Sequence, residues 1–237
     1  MFRNDYILRM VEEMTQMISK VFDLKKERKF TEALWEIDEL LSREYPLNSR
    51  LLNSLPTEEI TDMFRFGTTV ESDKLQGAAY LLNEEGKIYM DSGQVDEGLT
   101  RFMKSLHLYL VAEVHGANKE LIQLPNQVDH LLNQLKDYRL PLKTETLLFH
   151  YQEKNGRYAE AENALFRLLE QDGIDPAEGR SFYERLQGEE DETLTKGRLP
   201  RVEVMEGIVE MQRRFNNNDL DETTEYGIVT DKTTFRK

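Results

Sequence analysis

The sequence predicts an all-α protein, and three observations support this prediction. Apolar residues recur at spacings of three and four along most of the chain, which is the period of an amphipathic helix. No segment before residue 216 shows a convincing alternation of apolar and polar residues, as a half-buried strand would. Proline and glycine stand mainly between the helical segments, where they favour turns and helix ends.

In the first half of the chain, each predicted helix has an apolar stripe and a plausible end. Pro46 stops the second helix because proline lacks the amide hydrogen that a helix needs. Pro56 suits the first turn of a short helix, and Gly116 suits a C-terminal cap. The predicted helices cover residues 4–27, 31–44, a short stretch after Pro56, 72–91 and 95–114.

The second half repeats this organisation. Leu121 to Leu135 form a helical stripe in which Pro125 lies near the start or breaks the helix. Further helices are predicted after Pro141, after Gly156, from Asp175 onwards and over residues 201–215. Beyond residue 215 the stripe ends. We therefore expect one helical domain over residues 1–215 and a polar C-terminal tail over 216–237, either mobile or docked.

Composition excludes several classes of function. The chain has 237 residues, no cysteine and a formal net charge of −14. Disulfides, thiolate nucleophiles and cysteine-ligated metals are therefore excluded, and the acidic balance argues against nucleic-acid binding, which needs a basic face. The N-terminus leads into a charged helix, so we expect neither a secretory signal nor a membrane span. A reducing, cytoplasmic location fits this composition.

Three segments share a local pattern of a helix, a tight turn and a second helix. Each has a small residue in the second helix, at Ala33, Gly98 and Ala161. A tight turn folds two helices into an antiparallel pair, so these small residues are expected where the two backbones approach closely. The segments are 28–33, 93–98 and 156–161.

This pattern resembles the tetratricopeptide repeat, and the middle unit matches best. The resemblance covers about half of the chain and implies antiparallel helix pairs stacked in a right-handed array. The three small residues are 65 and 63 positions apart, roughly twice the ~34-residue period, so extra helices must be inserted. The long first helix and this layout also resemble an uncharacterised family of bacterial helical-repeat proteins, which implies no particular function.

No catalytic or cofactor motif is present. Glycine-rich phosphate loops, HExxH and GxSxG are all absent from the sequence. His107 and His115 lie eight positions apart on one predicted helix, which makes a metal site conceivable. We prefer to interpret them as isolated histidines, and we predict no enzyme activity, no metal and no cofactor.

Trp35 is a candidate contact residue because it is the single tryptophan and lies away from the Ala33/Ile37 stripe, on a polar face. An exposed tryptophan on such a face is typical of a binding hot spot. The alternative is that residues 47–73 or the C-terminal tail cover its ring.

The resemblance implies a second candidate surface, the inner face of the helix pairs. It would bind a ligand, or it would be an ordinary solvated helix face, or an inserted helix would fill it. The residues that map onto this face are Tyr80, Asn83, Lys87, Lys143, Thr146 and His150.

The first helix is longer than its pairing with the second helix requires. Its first turns carry an apolar strip that includes Ile7, Met10, Val11 and Met14. Either later helices fold back over this strip or a second copy of the chain covers it in a twofold contact.

These observations favour a non-enzymatic helical scaffold that binds a protein or peptide or assembles with itself. The alternative is a regulator or sensor that binds a small ligand or peptide in a helical cleft. The sequence names neither the partner nor the process.

Overall fold

The computed structural model describes residues 2–45 and 47–215, and in this part of the chain the regular secondary structure is almost entirely helical, as predicted. Pro46 and the predicted tail at 216–237 lie outside the described residues, as do the side chains of Ile7 and Met10. The elements are α1 (Phe2–Lys26), α2 (Phe30–Glu44), α3 (Ser49–Ser54), α4 (Thr57–Met63), β1 (Arg65–Phe66), β2 (Thr69–Val70), α5 (Ser72–Asp91), α6 (Val95–Val114), α7 (Leu124–Gln134), α8 (Leu142–Lys154), α9 (Tyr158–Leu169), α10 (Pro176–Gln187), α11 (Asp191–Lys196) and α12 (Arg201–Phe215).

The long helices coincide with their predicted ranges, and the short helix predicted after Pro56 is α4, whereas α3, α11 and the β1–β2 hairpin were not predicted. Helices α5, α6 and α12 begin and end at the predicted residues. Helices α3 and α11 have six residues each, which is too short for a repeated apolar stripe. The antiparallel β1–β2 hairpin has two residues in each strand and shows no alternation.

The chain divides into two compact units, Met1–Leu147 and Leu148–Lys237, which we describe separately. The prediction of one domain over residues 1–215 stays a prediction.

The first unit is organised around α5 and α6, which cross closely where each carries a glycine. A Cβ atom on Gly98 would lie 2.6 Å from Met90 Sδ and 3.1 Å from the Gly86 carbonyl oxygen. A Cβ atom on Gly86 would lie 2.7 Å from the Phe102 ring. No side chain fits between the backbones, so the expectation that Gly98 marks a close crossing is confirmed. Helix α2 packs on α5, and α7 packs on α6.

The second unit has its own aromatic core. The ring centroids of Phe149 and Phe182 are 5.5 Å apart, and those of Phe182 and Tyr183 are 5.2 Å apart. The Tyr183 hydroxyl donates a hydrogen bond of 2.6 Å to Glu162, which gives this buried phenol a partner. Burial of the ring, together with this carboxylate, raises the pKa of Tyr183 well above its ordinary value. Ala161 is completely buried in the same core.

The three repeated segments share one turn geometry. In each, the second residue after the first helix has a left-handed backbone, and the next residue donates its N–H to a carbonyl five positions earlier, which closes the helix. The left-handed residues are Arg28 (φ 58°), Gly93 (φ 81°) and Gly156 (φ 69°). The closing bonds are Lys29 to Leu24, Gln94 to Tyr89 and Arg157 to Gln152, each 2.9 Å long.

Arg28 stands where the other two turns have glycine, so Arg28→Gly should stabilise the protein. Left-handed geometry costs an ordinary residue about 1–2 kcal/mol, whereas the extra chain entropy of glycine costs about 0.5–1 kcal/mol. We therefore expect the free energy of unfolding, measured in urea, to rise by up to about 1 kcal/mol. Gly93→Ala is the matched control and should lower it by about 1 kcal/mol. A loss of stability in Arg28→Gly would contradict this account of the turn.

Candidate functional site

A groove of about 720 Å³ lies in the first unit beside Trp35. Helices α2 and α3 form its walls, and α5 and α6 form its floor. We call it the Trp35 groove. Its lining residues are Leu34, Trp35, Asp38, Ser49, Arg50, Asn53, Ser54, Glu85, Tyr89, Glu97, Thr100 and Arg101.

The floor of the groove holds a buried ion pair between the two glycine-crossed helices. Arg101 Nε lies 3.3 Å from Glu85 Oε2, and the two side chains are only 5 % and 2 % exposed. The Ser49 hydroxyl donates to Glu85 Oε1. Burial raises the pKa of Glu85, although Arg101 and Ser49 oppose this shift. Removing one partner of such a pair would leave an uncompensated buried charge, which typically costs ~3–5 kcal/mol.

Two further groups hold the Arg101 side chain in place. Its guanidinium carbon lies 3.9 Å from the centroid of the Tyr89 ring, a cation–π contact. Its Nη1 atom donates to the Glu97 carboxylate at 2.5 Å and to the Glu97 carbonyl oxygen at 2.9 Å. Arg101 is therefore engaged by two carboxylates and one aromatic ring.

Some buried polar atoms of the groove have no hydrogen-bond partner among the described residues. They are Asn53 Oδ1, Glu85 Oε2 and Arg101 Nε. The last two face each other as the ion pair, so their charges compensate although their geometry is not that of a hydrogen bond. Asn53 Oδ1 is an acceptor with no such compensation.

The wall formed by α3 is held at both ends by long-range bonds. At its N-terminus, the Ser49 amide donates to Asp38 Oδ1 at 2.7 Å. At its C-terminus, Lys104 Nζ donates to the carbonyl oxygens of Leu52, Asn53 and Leu55 at 2.9, 2.5 and 2.8 Å. Burial and the neighbouring charge of Arg101 lower the pKa of Lys104. An isolated six-residue helix is not stable in water, so these contacts define the wall.

Trp35 lies at the rim of the groove, and its side chain is 60 % exposed. Its neighbours on the helix, Ala33 and Ile37, are fully buried, which agrees with the predicted orientation of α2. Within residues 47–73, α3 forms the opposite wall and leaves the ring accessible, and the tail at 216–237, the other predicted cover, lies outside the described residues. Its role in binding stays a prediction.

The predicted inner face on α5 is largely inside the unit. Asn83 is fully buried, and its Nδ2 atom donates to Gln127 Oε1 of α7 at 3.2 Å. Lys87 pairs with Glu84 at 2.6 Å. Burial, with a smaller contribution from Glu84, raises the pKa of Tyr80 to about 12. Helix α7 therefore covers the predicted inner face at Asn83. This agrees with the alternative in which an inserted helix fills that face.

The remaining candidates on this face lie along α8. Lys143 is exposed and forms an ion pair with Glu58. The Thr146 hydroxyl donates to the Leu142 carbonyl of its own helix at 3.0 Å. His150 belongs to the second unit, is exposed and has its ring 4.8 Å from that of Phe149. None of these contacts tests a role in ligand binding, which stays a prediction.

The apolar strip on α1 is partly covered by the same chain. Met14 is 2 % exposed, and Val11 is half-buried. Both line a cavity of about 320 Å³ with Tyr80 and residues 120–123. For Met14, the alternative in which later helices of the same chain cover the strip therefore applies.

Sequence reasoning missed Glu85, Arg101 and Lys104, although one of them left a signal. Glu85 interrupts the apolar stripe of α5 at the position between Leu82 and Tyr89. A charged residue in an apolar stripe requires a buried partner. The partner itself could not be read from the sequence because it depends on the crossing of α5 with α6.

The comparisons with known proteins give one result. Residues 1–216 match a protein family described as a family of unknown function, DUF6483. No curated protein and no solved structure matches the chain. Over residues 2–45 and 47–215, no helix combines the length and the apolar character that crossing a membrane requires.

Lys104→Met should destabilise the groove wall while keeping the aliphatic stem of the side chain. Three carbonyl oxygens lose a charged donor, so we expect the free energy of unfolding in urea to fall by about 1.5–3 kcal/mol. Hydrogen exchange of residues 49–55 should also accelerate. Lys20→Met is the matched control, because Lys20 is 59 % exposed and pairs with Glu36, so its loss should cost less than about 0.5 kcal/mol. If hydrogen exchange of residues 49–55 is unchanged in Lys104→Met, the bonds from Lys104 do not stabilise α3.

His107 should make stability depend on pH. It is 5 % exposed, and its Nδ1 atom lies 3.0 Å from Thr144 Oγ1. Burial lowers its pKa, an effect that Lys143 adds to and Glu58 opposes. Below the ordinary value of 6.5 the unfolded chain therefore binds more protons at this site, and stability is lost as the pH falls.

Urea unfolding at pH 7.5, 6.5 and 5.5 measures this contribution. His107→Gln should show a smaller loss of stability between the first and last pH than the parent protein. His115→Gln changes an exposed histidine and should leave the parent pH dependence unaltered. If both variants keep the parent profile, His107 does not contribute.

Proposed function

Because the chain belongs to DUF6483, a family of unknown function, we propose a function from its own geometry. It is a non-enzymatic helical scaffold that binds a segment of another protein in the Trp35 groove. The observation that supports this most directly is an exposed tryptophan at the rim of a groove whose floor is a buried ion pair. Binding hot spots are enriched in tryptophan.

The rigidity of the groove supports the same proposal. Its α3 wall is held by Asp38 and Lys104, and its floor by the Glu85–Arg101 pair. A groove with walls already in place needs little reordering when a segment enters, so less binding free energy is lost to conformational entropy.

The pairs α1–α2, α5–α6 and α8–α9 are, in this proposal, tetratricopeptide-like units separated by inserted helices. The shared turn geometry at Arg28, Gly93 and Gly156 supports this assignment. The repeat family uses its helix pairs to bind other proteins, which agrees with a scaffold. The absence of cysteine from the sequence supports a cytoplasmic location.

A second candidate function is a regulator or sensor that binds a small ligand in the same groove. The volume of about 720 Å³ favours it, because ligand pockets typically measure ~300–1,000 Å³. Self-association through the first turns of α1 is a separate proposal, supported by Leu8, which is 60 % exposed.

Affinity capture from the native host tests the scaffold proposal with two variants that each remove an exposed aromatic ring. Trp35→Ala should reduce recovery of the bound protein at least tenfold, because truncating a hot-spot residue costs 2 kcal/mol or more. Phe66→Ala is the matched control, since Phe66 is 84 % exposed and lies outside the groove. Quantitative mass spectrometry measures the recovery.

Equal recovery by the parent protein and both variants would overturn the assignment of binding to the groove. Native mass spectrometry of the purified protein separates the two functions. A bound small molecule that is lost in Trp35→Ala would favour the sensor.

A further inference from the structure

The charges of the Trp35 groove are not equally available to a ligand. Arg101 is 5 % exposed, lies against the Tyr89 ring and is paired with both Glu85 and Glu97. A ligand anion would have to compete with two carboxylates for this one guanidinium. Arg50 is exposed and is the other basic side chain among the lining residues.

Acceptor atoms, by contrast, are in excess. Asn53 Oδ1 has no hydrogen-bond donor among the described residues, and Glu85 Oε2 has only the 3.3 Å approach of Arg101 Nε. Asp38 is half-buried in the wall, and the side chain of Glu97 is 57 % exposed. The lining therefore carries three carboxylates, Asp38, Glu85 and Glu97, against the two guanidinium groups of Arg50 and Arg101.

The exposed aromatic ring of Trp35 also favours a cation. The face of an indole ring carries partial negative charge and attracts ammonium and guanidinium groups more strongly than any other aromatic side chain does. Trp35 is 60 % exposed at the rim, on the helix that also carries Asp38. The floor already contains one such arrangement, in which the Arg101 guanidinium lies over Tyr89.

We propose that the segment bound in the Trp35 groove carries a basic side chain, arginine or lysine. The cation lies over the Trp35 ring and faces the carboxylates of Asp38 and Glu97. This inference rests on the proposed function and adds the chemical class of the partner. The formal net charge of −14 supports it at long range, because it attracts cationic segments and repels anionic ones.

Binding in the Trp35 groove can be followed by intrinsic tryptophan fluorescence. Trp35 is the only tryptophan in the chain, so its fluorescence reports on the groove without any label. The probes are three heptapeptide libraries with capped ends and random, uncharged flanking residues. The central residue is arginine in the first library, citrulline in the second and glutamate in the third. Citrulline has nearly the shape of arginine and no charge.

The arginine library should change the Trp35 fluorescence at a concentration about tenfold lower than the citrulline library, and the effect should weaken with added salt. Asp38→Asn and Glu97→Gln should each reduce the affinity for the arginine library about threefold to tenfold. Glu192→Gln removes an exposed carboxylate in the second unit and should have no effect. Circular dichroism confirms that each variant is folded.

The outcomes distinguish this inference from the proposal that a protein segment binds in the Trp35 groove. Equal or tighter binding of the citrulline or glutamate library would overturn the preference for a basic side chain and leave a peptide-binding groove. No response to any library up to millimolar concentration would overturn both proposals. Binding of the arginine library that Asp38→Asn and Glu97→Gln leave unchanged would also overturn the inference, because the cation would then lie elsewhere.

Discussion

The close crossing of α5 and α6 at Gly86 and Gly98 is the constraint on which the first unit depends. A single added carbon at Gly98 would meet the Gly86 carbonyl oxygen at 3.1 Å, so the two backbones are nearly in contact. This proximity places Glu85 and Arg101, which neighbour the crossing, opposite each other and away from water. Two charges in that position must pair, since an isolated buried charge would be neutralised or expelled. The floor of the groove follows from the crossing.

The walls depend on a different device, a distant cation that caps a short helix. Lys104 reaches the last carbonyl oxygens of α3 from 52 residues away in sequence. In the second unit, Arg201 Nη1 donates to the carbonyl oxygens of Leu186 and Gln187 at the end of α10, at 3.2 and 3.0 Å. The end of a helix carries partial negative charge and unpaired carbonyl groups, so a cation there satisfies both. Each unit thus holds a helix end through tertiary contacts as well as through local sequence preference.

The contrast between local sequence preference and tertiary contacts explains which helices and surfaces could be predicted from the sequence. Helices α5, α6 and α12 have repeated apolar stripes and clear ends, and their bounds follow from local rules. The placement of Trp35 on the face opposite Ala33 and Ile37 likewise follows from the helical period, whereas its exposure was one of two alternatives. The groove could not be predicted, because its α3 wall is six residues long and depends on Lys104. The burial of Asn83 was left as one of several alternatives for the same reason, since α7 was predicted as a helix but its contact with Asn83 is tertiary.

The same physics relates the two proposals to the fold. A groove whose floor is an ion pair cannot exchange one partner for water or an apolar group without a large cost, so its charges keep a fixed arrangement. A fixed arrangement discriminates between ligands by the interactions it fails to satisfy. Here Arg101 is already neutralised by Glu85 and Glu97, whereas Asn53 Oδ1 still accepts nothing among the described residues. An anionic segment would find only Arg50 as an exposed cation and would face more carboxylates than basic groups. In our proposal a cationic segment would instead lie beside the carboxylates of Asp38 and Glu97, so the glycine crossing, by fixing the Glu85–Arg101 pair, would contribute to the choice of ligand.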